Sequence, residues 1–280
     1  MSDIIVTRFA PSPTGYLHIG HAYSALTAWH TAIAADGRFI LRIEDIDVGR
    51  CKPEFEDAIY EDLAWLGIEW ETPVRRQSDH LADYAKALAR LDSLGLTYPC
   101  FCTRADIRAE LWRIDGAPHG NAGPVYPGTC RDLSHQDRGV RVAAGEEHAV
   151  RLHMAEAVSQ IGAVIWNDLD RGAITGDPMG HGDVVLARKD IPTSYHLAVT
   201  IDDALQGVTL VTRGADLVDF TDIHRVLQDL LGLAAPRYHH HMLLTDAEGR
   251  RYAKRDRSLT IRALRAAGLT PEEVKGMAGF

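Results

Sequence analysis

An α/β fold is predicted here: a Rossmann-type parallel sheet, split by an inserted module and finished by a small helical C-terminal region. Three observations predict it. First, a strand-like segment, a Pro/Gly loop, a helical stretch and a second apolar run all fall within residues 3–43, the span of a βαβ unit. Second, the same alternation resumes at Asp183-Val184-Val185-Leu186. Third, the residues between change character, with cysteines followed by a Gly/Pro-rich stretch at 116–128.

Taken in order, residues 3–9 (Asp-Ile-Ile-Val-Thr-Arg-Phe) read as a buried strand. Ala10-Pro11-Ser12-Pro13-Thr14-Gly15 cannot continue it, because two prolines remove donors and fix φ. From Ile19 to Ala35 the spacing of Leu26, Trp29 and Ile33 is helical, and Gly37 supplies a stop. Phe39-Ile40-Leu41-Arg42-Ile43 is the second strand. Pro53 opens a helix with Glu54, Glu56 and Asp57 in its first turn, and another runs from about His80 to Leu94. Short strands are expected near 149–153 and 162–167, a helix near 194–205, a strand at 208–212 and a helix near 219–231. Residues 236–280 read as a strand containing His239-His240-His241, a basic loop and two short helices. The second of these starts at Thr270-Pro271-Glu272-Glu273, a capping box. The expected division is therefore 1–99 and 183–235 as the two halves of the Rossmann-type domain, 100–182 as the insertion and 236–280 as a basic C-terminal region.

The bulk numbers are those of a globular protein: 280 residues, 46% hydrophobic and 25% charged. No run of about 18 apolar residues occurs, so no membrane span is expected. The N-terminus lacks the basic, apolar, small-residue order of a signal peptide. A cytoplasmic monomer is the expectation. Net charge is −9, yet residues 236–280 carry nine Lys/Arg against five Asp/Glu. That pattern fits either an RNA partner meeting a basic end or a solvated basic helix.

The most informative stretch runs from Thr7 to His21. It places a rigid loop between a strand and a helix N-terminus, where free N–H groups and the helix dipole attract anions. Gly20 lets a nucleotide approach the backbone. His18 and His21, three apart, share one side of the first turn and can hold phosphate oxygens whose charge grows during displacement. Read alone, His-x-Gly-His is weak evidence, and a helix start with incidental histidines accounts for it. The whole loop, however, resembles the signature of glutamyl-type class I aminoacyl-tRNA synthetases. The resemblance continues at Leu41-Arg42-Ile43-Glu44-Asp45-Ile46-Asp47 and from Asp202 to Leu217, and so covers nearly the whole chain.

That resemblance implies a catalytic set. Glutamate contacts fall to the Arg8-Phe9-Ala10-Pro11-Ser12 segment, Glu44, Tyr195 and Arg213, and ATP contacts to His18, Gly20, His21 and Lys254. Mg²⁺ is expected with the ATP. His18, His21 and Lys254 are the expected catalytic residues. An Arg–carboxylate fork supplies roughly 1.5–3 kcal/mol, which suits a dicarboxylic substrate. From the residues alone, Arg8 and Glu44 fit surface ion pairs and Tyr195 a core tyrosine. The family's Lys-Met-Ser-Lys-Ser loop corresponds to Arg251-Tyr252-Ala253-Lys254-Arg255, where only Lys254 matches strictly and Ala253 lacks the serine hydroxyl.

Cys100, Cys102 and Cys130 supply three thiols, and disulfides are not expected in a cytosolic chain. A structural zinc site needs four ligands, and His119 or His135 would be ordinary guesses for the fourth. The resemblance points to Tyr126 instead. Three buried thiols remain the alternative, and Cys51 is unassigned.

Within the family the chain resembles a shorter branch. Full-length relatives carry Arg-Gly-Glu-Asp-His at the last motif and a long C-terminal anticodon-binding region. Here the motif is Arg213-Gly214-Ala215-Asp216-Leu217, and 26 residues follow Lys254. The resemblance implies ATP-dependent activation of L-glutamate without tRNA, then transfer to the queuosine base in the anticodon stem-loop of tRNA(Asp). A shortened enzyme charging tRNA(Glu) at its 3′ end, a nucleotidylyltransferase and a non-catalytic RNA-binding paralogue are the rivals.

Overall fold

The computed structural model describes residues 4–107, 119–120, 123–244 and 260–280. The strands are β1 (Val6–Phe9), β2 (Arg38–Ile43), β3 (Glu71–Arg76), β4 (Thr97–Cys100), β5 (His119–Gly120), β6 (Gly123–Pro124), β7 (Ala149–Leu152), β8 (Ile165–Asp168), β9 (Gly172–Thr175), β10 (Val185–Ala187), β11 (Leu210–Gly214) and β12 (Arg237–His241). The helices are α1 (Ile19–Ala34), α2 (Pro53–Trp65), α3 (Leu81–Ser93), α4 (His135–Ala143), α5 (Met154–Ile161), α6 (Tyr195–Leu205), α7 (Phe220–Leu231), α8 (Ile261–Ala266) and α9 (Pro271–Met277).

The main sheet is parallel and doubly wound. β1 pairs with β2 and β2 with β3, while β11 pairs with β12 and β12 with β8. The two halves meet where β1 lies beside β11, with Thr209 N–H donating to the Val6 carbonyl at 3.0 Å. The strand order reverses at β1, so ligands are expected outside the carboxyl ends of β1, β2 and β11. Helix α1 covers one face with Ala22, Ala25, Leu26, Ala28 and Ala32. Four alanines let it lie close to the sheet, and the buried Thr7 hydroxyl donates to the Ala28 carbonyl at 2.7 Å. The expected stripe of Leu26, Trp29 and Ile33 is therefore displaced: Ile33 is exposed and the small residues carry the contact. Helices α3, α5, α6 and α7 build a second core on the other face.

Gly37 is where the chain turns from α1 into β2. A Cβ there would lie 2.2 Å from the Ile5 carbonyl oxygen, so no larger residue fits. β3 was not expected from the sequence. Its residues, Glu-Thr-Pro-Val-Arg-Arg, lack an apolar period because it is the outer strand of its half.

Between the halves, β7 pairs antiparallel with β4 and β10, forming a small sheet that carries Cys100 at its end. The hairpin β8–β9 joins the edge of the main sheet at β12. Helices α8 and α9 pack on the first core through Ile261, Leu264 and Val274. Their tether is local: Ile261 N–H donates to the Leu17 carbonyl at 2.9 Å, and Thr260 bridges to His18. No helix among the described residues is long and apolar enough to cross a membrane.

Asp62 of α2 is buried, with Oδ2 lacking a hydrogen-bond partner among the described residues. Burial pushes its carboxyl up to about 7, opposed by Arg265. The folded protein thus holds a proton that the unfolded chain releases near the usual aspartate range, so this group's favourable contribution is complete at low pH and fades as pH rises through 7. Asp62→Asn is expected to raise the melting temperature by a few degrees at pH 8 and by progressively less as pH falls from 7 towards 4, as read by thermal denaturation across that range.

Candidate active site

The loop after β1 is fixed from three directions. Thr14 N–H donates to Ser12 O at 2.8 Å, Glu44 N–H to Pro11 O at 3.0 Å, and Lys52 N–H to Pro13 O at 3.0 Å. These bonds fasten the loop to the end of β2 and to the start of α2. His18 then caps α1. Its Nδ1 accepts from Gly20 N at 3.1 Å, and His21 Nδ1 accepts from His18 N at 3.1 Å, a capping box made of two imidazoles. With both Nδ1 atoms accepting, a neutral ring carries its proton on Nε2. The ring centroids are 3.8 Å apart. A Cβ on Gly20 would press within 3.0 Å of the His18 ring, so this glycine also shapes the imidazole's position.

A cleft of about 510 Å³ opens at the carboxyl ends of β1, β2 and β11. Arg8, Phe9, Ala10, His18, Gly20, His21, Glu44, Tyr195 and Arg213 all line it. Tyr23, Ser24, Asp216, Phe220 and His241 complete much of its wall. A neighbouring cavity of about 570 Å³ shares Glu44 and Tyr195 with it and takes in Ser12, Asp47 and Arg188. Pro11 lines neither; it is buried and acts through its carbonyl on Glu44 N–H. Lys254, with Arg251 and Ala253, lies outside the described residues.

The floor is a charge network. Arg42 is fully buried and bonds Asp203 Oδ1 at 2.8 Å, Gln206 Oε1 at 2.9 Å and Glu44 Oε1 at 3.2 Å. Asp203 Oδ1 also accepts from Arg8 Nε at 3.1 Å, and Arg8 Nη1 donates to Thr212 O at 3.0 Å. Asp202 joins through Arg75 at 2.7 Å, Gln77 at 2.8 Å and the Tyr84 hydroxyl at 2.9 Å. Burial opposes the Asp203 charge, yet Arg8 and Arg42 hold its carboxyl below the usual range. For Glu44 burial prevails over Arg42 and Arg8, and its carboxyl is pushed up. A cationic ligand group beside Glu44 would offset that penalty.

Arg213 is held differently, by Thr221 Oγ1 at 2.6 Å, His240 Nε2 at 3.1 Å and His224 Nδ1 at 3.2 Å. His240 in turn bonds Asp168 Oδ2 through Nδ1 at 2.7 Å. His239, His240 and His241 do form a strand, β12. His240 and His241 nevertheless face the site: His241 lines the cleft and bonds the Ser24 hydroxyl at 2.9 Å. Sequence reading gave no role to Arg42, Asp203, Thr212, His224 or His240. Arg42, Asp203 and Thr212 lie inside the stretches that carry the family resemblance, and a charged residue in an apolar strand or helix pattern is the available signal for the first two.

In the small sheet's end, the sulphurs of Cys100, Cys102 and Cys130 lie within 4.8 Å of one another. Cys102 and Cys130 approach to 3.4 Å, and the Tyr126 hydroxyl stands 3.4 Å from Cys100 and 3.6 Å from Cys102. Cys130 N–H donates to that hydroxyl at 2.8 Å. Three thiols thus converge closely enough to share one ion, with the phenol beside them, and zinc favours thiolate donors. His135 instead begins α4, and the side chain of His119 lies outside the described residues.

The doubly wound sheet, divided by an intervening segment, is that of a class I aminoacyl-tRNA synthetase catalytic domain, a ligase. The family model described as "tRNA synthetases class I (E and Q), catalytic domain" matches residues 4–276, and the chain belongs to that family. A Rhodobacter capsulatus protein named Glutamyl-Q tRNA(Asp) synthetase is 50% identical, over 99% of this chain and 100% of its own length. A protein of the same name from Symbiobacterium thermophilum is 42% identical, over 96% and 84%. The crystal structure of a glutamate-tRNA synthetase from Elizabethkingia anophelis superposes with a TM-score of 0.78 at 27% identity. That match covers 91% of this chain and 53% of the other, so this chain corresponds to about half of the larger enzyme.

Arg42→Met removes the cation shared by Asp203 and Glu44. Glu44 then loses its bonded arginine and Asp203 keeps only Arg8; breaking a buried ion network in this way costs about 3–5 kcal/mol, so the urea midpoint is expected to fall accordingly, whereas Arg38→Met at the exposed Arg38–Glu71 pair should cost under about 1 kcal/mol.

Proposed function

We propose that this ligase activates L-glutamate with ATP in the absence of tRNA and transfers it to the queuosine base in the anticodon stem-loop of tRNA(Asp). The observation that carries the reading is the cleft itself. It gathers two arginines, a buried glutamate and a tyrosine beside a helix start capped by two histidines. A substrate with two carboxylates and an ammonium group matches that set in charge, with Glu44 taking the ammonium and Arg213 the side-chain carboxylate.

In the first step an α-carboxylate oxygen of glutamate attacks the ATP α-phosphorus. The bond from that phosphorus to the bridging oxygen breaks and pyrophosphate leaves. His18 and His21 stabilise the charge developing on the phosphate oxygens, and Lys254 is assigned the same role. Mg²⁺ accompanies the triphosphate and neutralises part of its charge. In the second step a hydroxyl of the queuosine cyclopentenediol attacks the adenylate carbonyl, an ester bond forms and AMP leaves. The cavity that shares Glu44 and Tyr195 with the cleft is adjacent to the reacting carbonyl in this scheme and is the approach for the nucleoside.

Two things support the transfer target. Relatives named Glutamyl-Q tRNA(Asp) synthetase align over 96–99% of this chain. The Ala215 and Leu217 positions also depart from the Glu and His of full-length glutamyl enzymes. The purified protein is expected to catalyse glutamate-dependent pyrophosphate exchange without tRNA. Nucleoside mass analysis of reacted tRNA(Asp) is expected to reveal glutamylated queuosine. Equal labelling of queuosine-containing and queuosine-free tRNA(Asp), or charging of tRNA(Glu) alone, would defeat the assignment.

Cys100, Cys102, Tyr126 and Cys130 are proposed to hold one structural zinc ion, which would tie β4 to the loop before α4. Chelation is expected to release about one equivalent per chain by atomic absorption and to lower the melting temperature, and Cys130→Ala to reduce the bound metal to near zero.

A further inference from the structure

Arg8 and Arg213 face the same cleft but are neutralised in opposite ways. Arg8 shares Asp203 with Arg42. Among the described residues, no carboxylate pairs with Arg213, although it is only 5% exposed. Its Nε, Nη1 and Nη2 meet His240 Nε2, His224 Nδ1 and Thr221 Oγ1. A guanidinium only donates, so both histidines must accept, and an accepting imidazole nitrogen carries no proton. The remaining nitrogens are committed too. His240 Nδ1 faces Asp168 Oδ2 at 2.7 Å, and His224 Nε2 faces His196 Nδ1 at 3.2 Å. The chain of bonds therefore fixes neutral tautomers: Nδ1–H in His240, Nε2–H in His224 and Nε2–H in His196.

We infer that His224 and His240 are specificity-determining positioning residues: they hold Arg213 as a buried cation with neutral partners only, so that a carboxylate ligand completes it and an amide does not. The inference rests on the reading of Arg213 as the contact for the glutamate side chain. Placing an unpaired cation indoors is unfavourable, and a ligand that brings the missing anion recovers that cost on binding. Glutamine, of equal size, brings only a dipole.

The surroundings agree. Burial, with Arg213 nearby, lowers His240 to about 4 and His196 to about 3, and holds His224 well below the ordinary imidazole value. The charged and titratable groups around this collar are Arg213 and Arg8 from the strands, Asp168 behind His240, Arg171 acting on His240, Tyr238 stacked on His240, Tyr195 beside His224 and His196, and His181 near His196. Asp168 is one full imidazole away from the guanidinium, so its charge orients His240 rather than pairing with Arg213. A core filler would need hydrogen bonds here but would not need them to be uncharged.

Charge, separated from shape, is the test. His224→Asn keeps an acceptor near the place of Nδ1, while His224→Asp puts an anion there; His240→Gln and His240→Glu form an independent pair. In pyrophosphate exchange by folded full-length protein, the acidic variants are expected to raise KM for glutamate by more than about tenfold. KM for ATP should stay unchanged, and the preference for glutamate over glutamine should narrow by a similar factor. The neutral variants should keep KM for glutamate within about threefold of wild type. Acidic variants that bind glutamate like wild type, or neutral variants that lose as much as acidic ones, overturn the inference. So does an imidazolium signal from any of the three rings at pH 6.5 in ¹⁵N-histidine NMR of the wild type, a measurement that needs no variant to fold. Wild-type protein without glutamate-dependent exchange would instead sink the functional reading beneath it.

Discussion

Arg42, near the carboxyl end of β2, is fully buried, and its guanidinium is bonded to Asp203, Gln206 and Glu44. Asp203 and Gln206 belong to α6 and the turn after it, in the second half of the sheet, while Glu44 follows β2 in the first. One side chain therefore clamps together the two halves that the intervening segment separates in sequence. It also sets the floor of the cleft, because Asp203 is what holds Arg8 and Glu44 stands at the rim of both cavities. Desolvating such a group is costly unless its partners are complete. Position and charge here are thus inseparable: the network that joins the halves is also the one that orients the binding groups.

The two cleft arginines show how a fold can hold like charges for different ends. Arg8 is compensated internally and presents a positioned, nearly neutral assembly. Arg213 is surrounded by rings and a hydroxyl, with Tyr238 at 5.6 Å beneath it. Glu44 is the counterpart of opposite sign, its carboxyl raised by burial until a cation arrives. A ligand with an ammonium group and a separate carboxylate would relieve both at once, which links recognition of the substrate to the electrostatic strain of the free site.

The βαβ start was legible because two apolar runs flank a Pro/Gly loop, and burial of β1 and β2 agrees with that pattern. β3 was invisible for the complementary reason: an outer strand need not be apolar. Helix α1 was placed correctly, but its packing face was not, since alanines carry little hydropathy signal while allowing the closest approach. Of the expected glutamate and ATP contacts, Arg8, Phe9, Ala10, His18, Gly20, His21, Glu44, Tyr195 and Arg213 line one cleft, Ser12 lies in the adjoining cavity, Pro11 lines neither, and Lys254 lies outside the described residues. The supporting shell stayed hidden. Arg42 meets Asp203 across 161 positions and Arg213 meets His240 across 27, and no local spacing reveals partners so far apart. The histidine run was readable as a strand, and only tertiary structure could say which ring turns inward.

One further consequence lies in how the C-terminal helices are fastened. Leu244 lines the cleft, and Thr260 bridges to His18 beside the start of α8. The C-terminal helices are thus coupled to the helix start that bears the paired imidazoles: a change that loosened their packing through Ile261, Leu264 and Val274 would reach His18 through the main chain without altering a residue that lines the cleft.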